Sequence, residues 1–124
     1  MKKDLITTLN RLGFGMDNSN TAKANINSQK NVWWFTIPKE KFTSNFYLIC
    51  NESNYLYLIF IEKNTLAPIT NYFKIRADNE SIEIEICADK LSDNFLKDIK
   101  SGGTSFNFKN LIDFGQSYIR KINK

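Results

Sequence analysis

Histidine is absent from this 124-residue chain, and cysteine, proline and arginine are scarce. Because histidine is the commonest general base and the commonest transition-metal ligand, its absence excludes catalytic triads and His-Glu-x-x-His zinc sites. The two cysteines, Cys50 and Cys87, each end an apolar run, and so few cysteines predict free buried thiols rather than a disulfide scaffold. Neither has a histidine to activate it, which argues against a cysteine enzyme.

Long apolar runs are also lacking. None approaches the roughly 20 residues that a membrane-spanning helix needs, and Met1-Lys2-Lys3 is followed by Asp4 rather than by an apolar signal segment. We therefore expect a cytoplasmic protein without a membrane partner. The length suits a single domain over residues 1–124, and no internal repeat or linker is evident.

Positive charge and aromatic rings are what the chain has in excess. The formal net charge of +4 favours acidic partners such as nucleic acid, but only mildly. Fourteen lysines, sixteen asparagines and fifteen isoleucines also fit an AT-rich genome, and only three arginines are present, although arginine is the usual phosphate reader. Aromatic residues make up 14% of the chain, which indicates a sheet-rich core, an aromatic contact surface, or both.

The segment 31–61 carries the clearest structural pattern. Three aromatic and β-branched runs are separated there by short polar breaks, which is typical of an antiparallel meander. The predicted strands are residues 32–37, 46–50 and 55–61, with a further short strand at 72–76. Residues 81–87 alternate isoleucine with glutamate, which is typical of an edge or half-exposed strand.

Three segments show helical spacing of apolar residues, namely 4–12, 91–99 and 107–122. The polar segment 13–31 has no periodicity and predicts a loop, with room for one short strand near residues 24–27. The resulting prediction is an α+β fold. It has an N-terminal helix, a central, mostly antiparallel sheet of four or five strands, and C-terminal helices packed on that sheet.

Carboxylates cluster in the alternating segment. Glu83 and Glu85 share one strand face, and Asp78 and Glu80 come just before them. Such oxygen clusters suit Mg²⁺, which a nuclease uses to activate water. The competing interpretation is a solvated strand face, in which Lys74 and Arg76 pair with the glutamates across strands.

Two adjacent tryptophans point to opposite faces of the first predicted strand. One of Trp33 and Trp34 is expected in the core, and the other is either exposed or covered by a helix. An exposed tryptophan beside Lys39 and Lys41 is suited to stacking on an unpaired base or to seating a protein partner. With Lys74 and Arg76, these four residues make up the predicted nucleic-acid-binding set.

Trp33-Trp34-Phe35 and the following run 45–49 resemble the PD-(D/E)xK, or restriction-endonuclease-like, superfamily. The resemblance covers residues 17–61. It implies an E/Q-x-K strand near residues 25–27, which read Asn-Ile-Asn and lack both the carboxylate and the lysine, and an upstream acid at Asp17. The single D-x-K string, at residues 98–100, falls at a predicted helix end, and we interpret it as chance. The resemblance therefore implies either a degenerate member that does not cleave or a fragment-sized relative that has lost its active half.

Three functions remain open. The first is a nucleic-acid-associated, catalytically inactive nuclease-like domain from a mobile-element or defence context. The second is a protein-interaction module, such as a phage-encoded inhibitor of a host defence enzyme or an immunity protein, which contacts its partner through the strand 82–86. The third is a Mg²⁺-dependent nuclease built on the carboxylates at 78, 80, 83 and 85; only this function requires a cofactor. A free sheet edge is also compatible with a homodimer.

Overall fold

The structure is a computed structural model that describes residues 2–124. One helix, α1 (Lys2–Asn10), precedes seven strands, with short 3-10 turns between some of them. The strands are β1 (Thr21–Asn27), β2 (Val32–Pro38), β3 (Phe46–Asn51), β4 (Tyr55–Ile61), β5 (Lys74–Ile75), β6 (Ser81–Cys87) and β7 (Tyr118–Asn123).

All seven strands form one mixed sheet in the order β5-β6-β2-β1-β3-β4-β7. The neighbours β1 and β3 run parallel, and the other neighbouring pairs are antiparallel. The predicted α+β fold, with a four- or five-stranded sheet and C-terminal helices packed on it, is therefore wrong. The N-terminal helix and the three strands of the segment 31–61 are confirmed, but β1 lies between β2 and β3, so the predicted meander is wrong. In the segment 13–31, residues 13–20 form turns and irregular chain, and the short strand predicted near residues 24–27 is the longer central strand β1.

Residues 91–99 form turns and extended chain instead of a helix. Leu91 is 97% exposed, so it does not belong to an apolar stripe. Local side chains satisfy the backbone here, because the Asp89 carboxylate accepts from the N–H of Leu91 and the Ser92 hydroxyl accepts from the N–H of Asn94. Such side-chain hydrogen bonds compete with the backbone hydrogen bonds of a helix. The fourfold spacing of apolar residues, which predicted the helix, carries no information about them.

Residues 107–122 divide into a 3-10 turn, Phe108–Asp113, and the strand β7. Gly115 lies between them with φ +81°, a left-handed conformation that ends any helix. Beyond it, Tyr118 to Asn123 pair with β4 in antiparallel register, from Phe60 opposite Tyr118 to Tyr55 opposite Asn123. The tail is a strand because β4 offers it an edge of unpaired N–H and C=O groups.

The main hydrophobic core lies against one face of the sheet. Alternate residues of β2 (Trp33, Phe35 and Ile37) enter this main core together with Ile82, Ile84 and Ile86 of β6. Segment 106–114 also packs on this side, through Phe108 and Leu111 among others.

The opposite face is covered only in part. Leu9 of α1 and Met16 pack on Ile49, Leu56 and Leu58 of β3 and β4. The outward positions of β1, β2 and β6 have no helix over them, and we call this region the polar half-face; its members are Lys23, Asn25, Trp34, Thr36, Glu83 and Glu85.

Strand β6 is not the edge or half-exposed strand that its alternation predicted. It lies between β5 and β2, and every one of its residues is buried. Glu83 and Glu85 are only 6% and 4% exposed, so the interpretation of a solvated strand face is also wrong. Segment 98–100 lies beside β6, and Asp98 forms an isolated antiparallel β-bridge with Ile86. Lys100 contacts both Glu83 and Glu85.

Candidate nucleic-acid interface

A bridging lysine neutralises the two glutamates of the polar half-face. Lys100 Nζ lies 3.3 Å from Glu83 Oε2 and 3.2 Å from Glu85 Oε2. Arg76 Nε adds a contact of 3.4 Å to Glu83, and Lys30 Nζ one of 3.4 Å to Glu85. Three cations therefore surround two carboxylates, and the hydrogen bonds to Glu85 first, then to Glu83, raise the pKa of Lys100. The cross-strand pairing of Arg76 with Glu83 was predicted; the role of Lys100 was not.

Asp98 holds Lys100 in place. Its Oδ1 atom accepts hydrogen bonds of 3.0 Å from the backbone N–H groups of Glu85 and Lys100. The residue is fully buried, and this burial raises the pKa of its carboxyl group. Its second oxygen, Oδ2, has no hydrogen-bond partner among the described residues. The D-x-K string at 98–100 thus lies in extended chain beside β6, and the predicted helix end is wrong.

The adjacent tryptophans separate as the strand alternation predicts. Trp33 is fully buried, and its Nε1–H donates to the Asn51 carbonyl over 3.0 Å. Trp34 is 45% exposed on the polar half-face, directly opposite Glu85 in the register of β2 and β6. Trp33 therefore has no surface to offer a ligand, whereas Trp34 presents half of its indole to solvent.

Two ammonium groups flank the Trp34 ring. Lys100 Nζ lies 5.3 Å and Lys30 Nζ 5.7 Å from the ring centroid. These distances are within the range of cation–π attraction, which orients an indole and holds positive charge beside it. The arrangement is a half-exposed indole with two ammonium groups over its ring, and the same ammonium groups contact Glu83 and Glu85.

Two of the four predicted basic residues, Lys39 and Arg76, are paired with acids. Lys39 lies 3.2 Å from Glu80, and Arg76 makes a bidentate contact with Asp78. That contact lowers the pKa of Asp78. Lys74 of β5 lies opposite Glu83 in the register of β5 and β6, but the cations that contact Glu83 are Arg76 and Lys100, so the predicted ion pair of Lys74 is wrong. In the part of the chain that the structure describes, Lys41 has no acidic partner of this kind, and it lines a cleft beside β1 together with Lys2 and Lys23.

The candidate catalytic carboxylates do not assemble into one site. Four of the five, at 78, 80, 83 and 85, contact lysine or arginine side chains, which occupy the oxygens that a cation would need. Across residues 2–124, no three His, Cys, Asp or Glu side chains are grouped so that they can hold a metal ion. The fifth, Asp17, belongs to the loop before β1.

Asp17 organises that loop. Its Oδ1 accepts from the backbone N–H and the hydroxyl of Ser19 and from the N–H of Asn20, at 2.6–2.9 Å. These hydrogen bonds, with that of the Ser19 side chain the largest, lower the pKa of Asp17. On β1, at the position where the resemblance places the E/Q-x-K pattern, Asn25 Oδ1 accepts from the Asn51 side chain.

Both cysteines are buried and free, as predicted. Burial raises the pKa of Cys50 well above its ordinary value, so this thiol is unreactive. Within the described part of the chain, no helix has the length and apolar character needed to cross a bilayer.

No protein-family model matches the chain, and no curated protein and no solved structure is detectably similar to it. The PD-(D/E)xK resemblance stays a prediction.

Proposed function

We propose that this protein binds single-stranded nucleic acid on the polar half-face, with a base stacked on Trp34, and does not cleave it. The observation that carries the proposal is the half-exposed indole of Trp34, with the ammonium groups of Lys30 and Lys100 within cation–π distance of its ring. Proteins that bind single strands combine such aromatic platforms with basic grooves, and a stack on one base contributes about 1–3 kcal/mol.

The charges around the platform support a polyanionic ligand. The Lys30 side chain is 55% exposed, so its ammonium can turn from Glu85 to a phosphate at small cost. The glutamates beneath Trp34 remain paired with Lys100 and Arg76, which prevents them from repelling the ligand. The net charge of +4 favours association in the same direction.

We expect no cleavage because the carboxylates are paired with lysine and arginine side chains. Phosphodiester hydrolysis by metal ions needs carboxylate oxygens that are free to bind the metal. In this protein, Lys100 bridges the two best-placed carboxylates, Glu83 and Glu85. Binding without hydrolysis is what such a site supports.

The test measures binding of labelled single- and double-stranded DNA and RNA over a salt series, with Mg²⁺ present and the products separated on a gel. We expect binding that weakens with salt, prefers single strands and leaves the oligonucleotide intact. Trp34→Leu should weaken binding by roughly 5- to 150-fold, which corresponds to the loss of one stacked base. Trp34→Phe, which keeps an aromatic face, should bind nearly as the wild type does.

Two results would contradict the proposal. Absence of binding at low salt would direct the search to a protein partner, for which salt-tolerant co-purification with one protein is the sign. Mg²⁺-dependent nicking that Glu83→Ala abolishes would instead restore the nuclease hypothesis.

A further inference from the structure

A second basic feature lies beside β1 and β2, and two of its residues, Lys23 and Thr36, share the face of the sheet that carries Trp34. Lys2 of α1, Lys23 of β1 and Lys41, which follows β2, line an open cleft of about 310 Å³, which we call the lysine cleft. Thr36 of β2 forms part of its wall. No carboxylate is among the described residues that line it. Its volume is at the lower end of the range of about 300–1,000 Å³ typical of ligand sites.

Two of the three ammonium groups are held by the loop that Asp17 organises. Lys2 Nζ donates to the Asn18 carbonyl over 3.1 Å, and Lys41 Nζ donates to the Ser19 carbonyl over 2.8 Å. A carbonyl takes one of the three donors of an ammonium group, so each lysine keeps donors for a ligand. These two lysines are therefore positioned by neutral groups and not neutralised by them.

The Lys23 ammonium group forms no hydrogen bond or ion pair with any residue in the range 2–124. The charge of Asp17, in the loop before β1, acts on both Lys2 and Lys41. The described residues that line the cleft include three lysines and no acid, so the lining itself has an excess of positive charge. The pKa of Lys2 is lowered by burial and then by repulsion from Lys41, which agrees with this excess.

The lysine cleft and Trp34 are neighbours along β2. Thr36, in the cleft wall, and Trp34 point to the same side of the strand, and two residues of a strand span about 7 Å. One nucleotide of an extended nucleic-acid strand covers such a distance. A base stacked on Trp34 therefore brings a phosphate of the same nucleic-acid strand to the cleft.

We infer that the lysine cleft binds a phosphate group of the nucleic-acid strand whose base stacks on Trp34. This inference rests on the proposed function. It adds the path of the nucleic-acid strand, which runs along β2 from Trp34 to the lysine cleft beside α1. Lysine serves such a site as a point charge, and the three lysines that line the cleft supply the positive charge that one phosphate group requires.

The first test is the salt dependence of oligonucleotide binding by Lys23→Gln and Lys41→Gln. Each lysine that contacts a phosphate should lower the slope of log K against log salt by about 0.7 for a single strand. Lys109→Gln is the matched control, because Lys109 lies in the 3-10 turn on the opposite face of the sheet, and it should keep the wild-type slope. Trp34→Leu should lower the affinity at every salt concentration and leave the slope unchanged.

The second test uses inorganic phosphate as the probe, so that the cleft is tested apart from oligonucleotide binding. Backbone amide resonances of the ¹⁵N-labelled protein should shift saturably near Lys23, Thr36 and Lys41, and Lys23→Gln should remove the shifts. Trp34→Leu should retain them.

The two proposals fail in different ways. Wild-type slopes in both lysine variants, with oligonucleotide binding intact, would overturn the cleft inference and leave the stacking proposal standing. Saturable phosphate binding in a protein that binds no oligonucleotide would support the anion site and overturn both the proposed function and the assignment of the phosphate to a strand.

Discussion

Lys100 Nζ lies 5.3 Å from the centroid of the Trp34 ring. The same ammonium bridges Glu83 and Glu85, so one side chain both neutralises the buried carboxylates and borders the exposed indole. Lys100 reaches this position because segment 98–100 runs beside β6 and is tied to it by Asp98. Lys100 therefore affects both the stability of the sheet around β6 and the charge of the surface beside Trp34.

Lys100→Met should destabilise the protein. The variant removes the cation shared by Glu83 and Glu85 and leaves only Arg76 and Lys30 to compensate them, which should lower the free energy of unfolding by about 1–2 kcal/mol. Urea denaturation measures this quantity. Lys39→Met is the control, since its ion pair with Glu80 is more exposed and should contribute less than about 0.5 kcal/mol. Equal stability of the two variants would contradict the bridging role.

Asp98 should give the protein a pH dependence of stability in the acidic range. Because burial raises its pKa in the folded state, the folded protein binds this proton more tightly than the unfolded chain does. This group therefore favours folding at low pH, and its contribution decreases as the pH rises from its unfolded pKa of about 3.9 through the raised folded value.

Asp98→Asn isolates that contribution. The amide oxygen still accepts from the N–H groups of Glu85 and Lys100, but the group no longer titrates. The difference in unfolding free energy between wild type and variant should change in favour of the variant as the pH rises above 4. Asp98→Ala, which leaves both N–H groups without their acceptor, should cost about 1–3 kcal/mol at neutral pH. A pH-independent difference for Asp98→Asn would refute the raised pKa.

Gly103 should not tolerate a side chain. A Cβ atom there would lie 2.7 Å from Asp98 Oδ2, which is too close for any real contact, and Asp98 is fully buried. Gly103→Ala should therefore lower the free energy of unfolding by about 1–3 kcal/mol. Gly15→Ala is the matched control, because nothing lies within 4 Å of a Cβ at that position. Thermal unfolding of both variants compares the two sites directly.

Gly115→Ala distinguishes the observed tail from the helix that the sequence predicted. In a helix over residues 107–122, alanine would stabilise the protein by about 1 kcal/mol relative to glycine. In the structure, Gly115 has φ +81°, so alanine should destabilise it by about 1–2 kcal/mol. The sign of the measured change in unfolding free energy decides between a helix and a turn that precedes β7.

The amino-acid sequence determined the elements whose pattern is local. Runs of aromatic and β-branched residues predicted β2, β3 and β4 within one residue at each end, because such side chains favour extended chain wherever they are buried. Strand alternation separated Trp33 from Trp34 for the same reason. The N-terminal helix was predicted at residues 4–12 and spans Lys2–Asn10.

Only the tertiary structure decided what the remaining segments do. Residues 118–122 have the apolar spacing of a helix, yet they form a strand because β4 presents an open edge beside them. The glutamates of β6 look solvated in sequence, yet they are buried because Lys100, in a later segment of the chain, is tied over them. The lysine cleft likewise joins lysines from three separate parts of the chain. Hydrogen bonding between strands and pairing between distant charges depend on residues far apart along the chain, which no local pattern records.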